Sequence, residues 1–245
     1  NTAPDTTGAT LLQTNLSETV YDDITAQSGD TYYYWIAIKS NGETISVSNT
    51  DSGYRAQAVV GIGAWGDDDK GQSTIPEELT EVIQVDAGSA HSIVLQSNGT
   101  VEVFGDNSLD QLDIPGNLTG VIAVAAGYFH NLALKEDGSV VAWGWNTNGQ
   151  TIVPKDLANV IQVSGGGDFS LALLADGTVV AWGNNFARQT EVPKGLTDVK
   201  EVSAGGSHAL ALKEDGTVVA WGNDAEGQAT VPIGLSDVVA VAAGK

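Results

Sequence analysis

The sequence predicts an all-β fold built from tandem units of four strands each, and three observations carry the prediction. An aromatic-Gly pair recurs as Trp65-Gly66, Phe104-Gly105, Trp143-Gly144, Trp182-Gly183 and Trp221-Gly222, each 39 residues after the last. The same step links Gln72, Gln111, Gln150, Gln189 and Gln228, and it links Pro76, Pro115, Pro154, Pro193 and Pro232. Within a unit the apolar residues alternate or form short runs between glycine turns, and none follows a 3.6-residue period. A fixed step of this size without a helical pattern marks a repeat array of β units.

Residues 1–57 lie outside the repeat and form a first region; residues 58–245 form the array. In the first region Tyr32, Tyr34, Ile36 and Ile38 alternate as in a strand. Asn41-Gly42 supplies a hairpin turn, and Thr44, Ser46 and Ser48 then alternate against Ile45 and Val47. Gly29, three residues before Tyr32, gives this stretch a spacing similar to the tyrosine corner of a fibronectin type III domain. That resemblance spans roughly residues 11–50 and implies a truncated β-sandwich, since a whole sandwich needs about 100 residues. A small strand-rich cap on the array is the alternative.

The array is read best in residues 121–154. Val121 to Ala126 is apolar on both alternating faces, as in a strand buried on both sides. His130 to Lys135 is the second strand, with Leu132 and Leu134 on one face and Ala133 on the other. Glu136-Asp137-Gly138 is a hairpin signal, repeated at Ser97-Asn98-Gly99, Ala175-Asp176-Gly177 and Glu214-Asp215-Gly216. Ser139 to Trp143 is the third strand, and Gln150 to Val153 a short fourth, ended by Pro154 as suits a sheet edge. Four short strands per unit, repeated in register, fit the blades of a β-propeller. Val59 to Gly66 supplies a lone third strand and Val238 to Gly244 a lone first strand, so about 4.5 blades are expected here.

The pattern AxGxxHxLALKxDGxVxAWGxNxxGQ resembles the repeat of the regulator of chromosome condensation family. His91, His130 and His208 occupy its His position, and Phe169 replaces it in one unit. The phrasing VVAWGxNxxGQxxVP is similar to bacterial members, which include a propeller inhibitor of β-lactamase. The resemblance implies a partial propeller of seven blades, with about 90 residues more needed to close the ring. The two module resemblances together imply a fragment of a larger bacterial protein, extracellular or on the cell surface.

Composition narrows the function. The formal net charge is −21, which disfavours nucleic acid and anionic membrane surfaces as partners. There is no Cys, so disulfides and thiolate metal sites are excluded. No apolar run approaches the ~20 residues of a membrane helix, so no membrane insertion is expected, and Asn1 does not open a signal peptide.

Strand direction alternates within a blade, so the turns between first and second strands share one face with the loops after the third strands. On that face near-identical units differ. Tyr128, Phe129, Trp145 and Phe186 are large aromatics where other units carry small or polar residues. Asp67, Asp68, Asp69, Asp106 and Asp168 make the same face acidic. Variable loops on a rigid scaffold commonly carry function, and large aromatics resemble interface anchors. These nine residues are the candidate partner-binding set. The bland alternative packs Trp145 and Phe186 back onto their blades and leaves the acids solvated.

The three histidines sit at one repeat position in separate units, too spread for a metal centre and suited to holding a turn through a ring nitrogen. The run Asp67-Asp68-Asp69 lacks the spacing and Gly of a calcium loop. No nucleophile motif or phosphate loop appears, so neither catalytic residues nor a metal or cofactor is expected. The expected function is a non-enzymatic binding module for a protein partner with a basic surface. The alternative is a carbohydrate-binding propeller using Tyr128, Phe129 and Trp145 as sugar platforms. Nucleotide exchange, which the resemblance implies for the eukaryotic member, has no partner-specific residue to attach to.

Overall fold

The computed structural model describes residues 37–40, 43–47 and 62–244. Strand β1 (Ala37–Ser40) pairs antiparallel with β2 (Glu43–Val47), Ala37 facing Val47, which brackets the Asn41-Gly42 turn signal. The remaining residues of the first region, and with them the sandwich reading, lie outside the described residues.

The array forms four sheets, one per unit. The first is β3 (Val82–Ala87), β4 (His91–Gln96) and β5 (Val101–Gly105). The second is β6 (Val121–Ala126), β7 (His130–Lys135) and β8 (Val140–Gly144). The third is β9 (Val160–Gly165), β10 (Phe169–Leu174) and β11 (Val179–Gly183), and the fourth β12 (Val199–Ala204), β13 (His208–Lys213) and β14 (Val218–Gly222). Every sheet is an antiparallel meander with its second strand in the middle. The architecture is all-β, a partial β-propeller of repeated 39-residue units.

Three features depart from expectation. Each sheet has three strands and not four. The segment expected as a fourth strand, Gln150 to Val153, is a chain of turns, with the Ile152 amide bonded to the Gly149 carbonyl at 3.0 Å. The Gln150 carbonyl is taken by the next unit, accepting Ser170 Oγ at 2.9 Å and Trp182 Nε1 at 2.9 Å. With its carbonyl committed to side chains, the segment has no ladder to join. Second, β6 is not buried on both faces. The register slips between Val121 and Ala123, so Ile122 sits in a bulge and is 49% exposed. The fourth unit has Lys200 at the same repeat position, as a solvent-facing site allows. Third, the lone first strand does not form: Val238 to Gly244 joins no ladder among the described residues, having no antiparallel second strand beside it. Of the stretch Val59 to Gly66, residues 59–61 lie outside the described residues, and Ile62 makes a bridge.

The sheets stack face to face. Leu132 and Leu134 of β7 press on Val160, Val163, Ala172 and Trp182 of the next unit. Ile93 and Leu95 meet Val121, Val124, Ala133 and Trp143 in the same way, and Leu171 and Leu173 meet Val199, Val202, Ala211 and Trp221. One face of each middle strand carries large side chains and the other small ones, so consecutive sheets interlock. Burying each large apolar side chain contributes about 1.5–3 kcal/mol. Each seam therefore holds a core of its own, and no sheet is buried without a neighbour.

The seams also carry polar contacts. Gln84 donates to the Val124 carbonyl at 2.8 Å and accepts from the Val124 amide at 2.9 Å. Gln162 makes the same pair with Val202, at 3.0 and 2.9 Å. The second unit has Ala123 at this position. The histidines bridge seams too. His91 Nε2 lies 3.0 Å from Asn131 Oδ1, and His130 Nε2 lies 3.0 Å from Ser170 Oγ. Each imidazole lies against a glycine of its own turn: a Cβ on Gly127 would meet His130 Cε1 at 2.1 Å. The structural role expected of the histidines stands, but the ring nitrogen reaches the next unit and not its own turn.

A candidate partner-binding face

The loop after each third strand is built by a shared set of residues. Gln150 is buried, and its Oε1 accepts the Asn148 amide at 3.0 Å. Gln72, Gln111, Gln189 and Gln228 do the same for Lys70, Leu109, Ala187 and Glu226. A second anchor is the residue after the one following the Trp-Gly pair: Asn146 Oδ1 accepts the Thr151 amide at 3.0 Å, and Asn107, Asn185 and Asp224 repeat the bond. Finally, the loop is tied to the neighbouring turn, since the Trp145 amide donates to the Phe129 carbonyl at 2.9 Å. Equivalent bonds join Asp106 to Ala90, Asn184 to Asp168 and Asn223 to Ser207. Turns and loops thus share one face, as strand direction predicts, while the hairpin glycines sit at the opposite ends of the strands.

This scaffold sorts the candidate residues. Asp68 occupies the second anchor position: its carboxylate accepts the Ser73 amide at 2.9 Å and Thr74 Oγ1 at 2.6 Å. Burial pushes its pKa up, but these bonds outweigh it and hold the group below the usual carboxylate range. Asp106 is held low by Ser108 Oγ at 2.6 Å and lies 3.9 Å from Lys70 Nζ. Both acids are engaged in holding loops. Asp67 caps the Asp69 amide at 3.1 Å, and both Asp67 and Asp69 are exposed. Phe186 is 94% exposed at the tip of its loop. It does not fold back onto its blade.

The remaining residues meet at the seam between the second and third sheets. Phe129 and Trp145 pack edge to face with ring centroids 5.7 Å apart, and Tyr128 and Phe129 do so at 6.3 Å. All three rings are half-buried. The Tyr128 ring lies over Gly167 of the third unit, where a Cβ would stand 3.2 Å from Tyr128 Cε2. Asp168 follows Gly167. Its Oδ2 is 3.5 Å from Asn148 Nδ2, and its Oδ1 is buried without a hydrogen-bond partner in the chain. Burial raises the Asp168 pKa. Burial, and then the Asp168 charge, raise that of the Tyr128 hydroxyl.

Trp145 stands at a position that elsewhere has a local duty. Asp67, Asp106, Asn184 and Asn223 occupy it in the other units, each accepting the amide two residues on. Trp145 gives up that turn-closing bond and packs on Phe129 instead. Asn148 and Gly167 lie in the variable turns and loops of this face, but the nine candidate residues drawn from the sequence do not include them. The repeat position of Asn148 varies (Lys70, Leu109, Ala187, Glu226), which is the signal that could have found it. The position of Gly167 varies too (Ser89, Tyr128, Gly206), but a glycine has no side chain to mark it as a contact. Among the described residues no three His, Asp or Glu side chains converge as a metal site.

Among curated proteins, none matches the chain. Several solved structures do. Yeast RCC1 (Prp20), in a crystal structure with Kap60 bound, matches with 21% identity and a TM-score of 0.58, over 77% of this chain and 55% of that one. Prp20p from Saccharomyces cerevisiae in a separate structure matches with 20% identity and a TM-score of 0.54, over 78% and 54% of the two chains. Human WBSCR16 matches with 22% identity and a TM-score of 0.60, over 84% and 77%. These likenesses show the fold, and this chain spans about half the length of the yeast protein. The model of the regulator of chromosome condensation (RCC1) repeat matches residues 82–111, 121–150, 160–189 and 199–228, each starting at the first strand of a sheet and ending at the loop-organising Gln. Residues 82–228 are therefore a tandem array of regulator of chromosome condensation repeats.

Proposed function

We propose that this chain is a non-catalytic binding module that grips a protein partner with a basic surface through its loop face. The observation that carries the reading is the seam cluster of Tyr128, Phe129, Trp145 and Asp168. Three half-buried rings and a carboxylate stand together where the other units have small or loop-capping residues. Large aromatics in a partly desolvated patch are typical interface anchors, and acidic surroundings steer a basic partner toward them. The similar Prp20p of yeast binds Gsp1p and histones, and histones are Arg-rich proteins that hold DNA. A protein footprint fits better than a sugar platform, because the rings gather at one seam and do not recur in every unit. A larger bacterial protein of the surface or secreted class is the setting proposed for the module, on the resemblance of its sequence phrasing.

Affinity capture with face-specific variants tests this. The 245-residue chain, a Trp145→Ala/Phe129→Ala variant and an opposite-face Glu136→Gln variant are each immobilised at physiological salt. A basic protein retained by the unaltered chain and the Glu136 variant, and lost by the aromatic variant, supports the reading. Equal retention by all three, or retention of carbohydrate alone, overturns it.

A further inference from the structure

The first sheet is packed against residues that precede it. Ile62, Ala64, Ile75 and Leu79 meet its Val85, Val94 and Phe104. One step of 39 residues on, Val101, Val103, Ile114 and Leu118 meet Val124, Ala133 and Trp143 in the same way. The Gln72 carbonyl accepts Ser92 Oγ at 2.8 Å, as the Gln111 carbonyl accepts Asn131 Nδ2 at 2.8 Å. Residues 62–79 therefore stand to the first sheet as the end of one unit stands to the next. The first strand of such a unit belongs 39 residues before Val82, where β3 begins. Glu43 occupies that place, and it is the first residue of β2. Both β2 and β1 lie against β3, as β3 lies against β6 and β6 against β9.

We infer that β2 is the first strand of a capping unit, and that the β1–β2 hairpin docks on the near side of the first sheet to end the array, whatever the loop face binds. A two-stranded hairpin is marginal in water by itself and needs a surface to pack on. The end sheet of a stacked array, for its part, exposes edges and core unless a capping unit covers them. The residues of β2 suit that duty. In the second sheet Val121 and Val124 face the preceding unit, meeting its Ile93 and Leu95. The other sheets repeat these valines as Val82 and Val85, Val160 and Val163, and Val199 and Val202, whereas β2 has Glu43 and Ser46 in the two places. Polar residues on the side away from the array distinguish a capping repeat from an internal one. The same replacements remove β2 from the apolar pattern by which the repeat is recognised.

The test uses the full chain, which has no Cys, so a nitroxide label can be placed at one site. A label at Glu43→Cys should broaden the amide resonances of β3 and leave those of β12 sharp. The register is tested separately. Gln84 and Gln162 clamp the backbones of Val124 and Val202, and the repeat places Ile45 where these glutamines stand and Val85 where the clamped valines stand. Ile45→Gln should therefore slow hydrogen exchange of the Val85 amide by about tenfold, and Ile38→Gln on β1 should not. Broadening confined to the hairpin itself detaches it from the array and overturns the inference. Broadening of β3 with an unchanged Val85 rate overturns the first-strand place. Broadening that appears when labelled chains are mixed with separate 15N chains puts the hairpin on a second copy, and overturns the intramolecular cap. The label result leaves Ile45 unaltered, so it decides the docking even if Ile45→Gln fails to fold.

Discussion

A single repeat position shows how side chains in this array are chosen in pairs. His91 faces Asn131 and His130 faces Ser170 across their seams, but the third unit has Phe169, and the residue facing it in the core of the next unit is Ala209. The polar ring meets a polar acceptor and the apolar ring a methyl. Ser170 Oγ donates to the Gln150 carbonyl, so it accepts from His130, which fixes that ring as the neutral Nε2–H tautomer. Burial, with a smaller effect of His91, pushes the His130 pKa down to about 3. Phe169→His alone should cost about 1–3 kcal/mol, because the imidazole would be buried against Ala209 without an acceptor. Adding Ala209→Ser should recover at least half of that loss in urea denaturation; no recovery would contradict the pairing. His130 also sets a pH dependence. Its folded pKa lies below the unfolded value of 6.5, so the unfolded chain binds the extra proton. Stability is full above 6.5 and falls as the pH drops toward 3, by about 1.4 kcal/mol per pH unit for this group. Replacing the pair by Phe and Ala, as the next seam does naturally, should flatten that fall between about pH 6.5 and 5. An unchanged slope would mean that His130 is not buried in its neutral form.

At the scale of the strand and the seam, the contacts that matter are not equally shared. Gln84 and Gln162 each exchange two hydrogen bonds with the backbone of the next unit, and Asp86 and Ser164 add one each to Ala126 and Ala204. The second unit has Ala123 and Ala125 at these positions, so its seam with the third lacks these clamps. That seam also carries the aromatic cluster. Gln162→Ala should destabilise by about 1–3 kcal/mol by stranding the Val202 amide and carbonyl. Ala123→Gln should stabilise by about 1 kcal/mol through a new pair with Val163, read as a higher urea midpoint at constant slope. The stacked layers depend equally on their tryptophans. Trp143 is 6% exposed and its Nε1 donates to the Gln111 carbonyl at 3.0 Å. Trp143→Ala should cost about 3–5 kcal/mol, and a loss under about 1 would refute its place in the core. Trp145→Ala, two residues on, should leave the midpoint nearly unmoved.

Charge governs the whole molecule. Thirty-one acidic residues face ten Lys and Arg, a formal balance of −21. The salt bridges found among the described residues span 3.8–3.9 Å and each joins at least one well-exposed side chain. Such pairs contribute about 0–1 kcal/mol each and do little against the summed repulsion. Raising NaCl from about 10 to 300 mM should therefore raise the melting temperature, because screening reaches the repulsion between distant acids first. A fall would show that attractive pairs dominate. The hairpin aspartates act in the same sense as His130 at low pH. Asp137, Asp176 and Asp215 are held below the usual carboxylate range by Ser139, Thr178 and Thr217, so their contribution is present above pH 3.8 and lost below it.

By itself the sequence determined what is decided within a few residues of chain. The glycine of each hairpin turn is one such feature: Gly138 has φ 75°, a conformation that residues with a Cβ resist. The 39-residue period, the three strands that do form, and the sharing of one face by Tyr128, Trp145 and Asp168 were legible for the same reason. Tertiary structure decided what depends on residues 20, 32 or 40 apart. Capture of the Gln150 carbonyl by Ser170 and Trp182 cancelled the fourth strand. The bulge at Ile122 turned an apparently buried residue to solvent. Stacking of the third unit on the second buried Asp168 Oδ1 beside Tyr128 and left Phe186 in water. Local backbone preference is written residue by residue, whereas desolvation and cross-seam hydrogen bonds exist only once one unit has been laid upon the next.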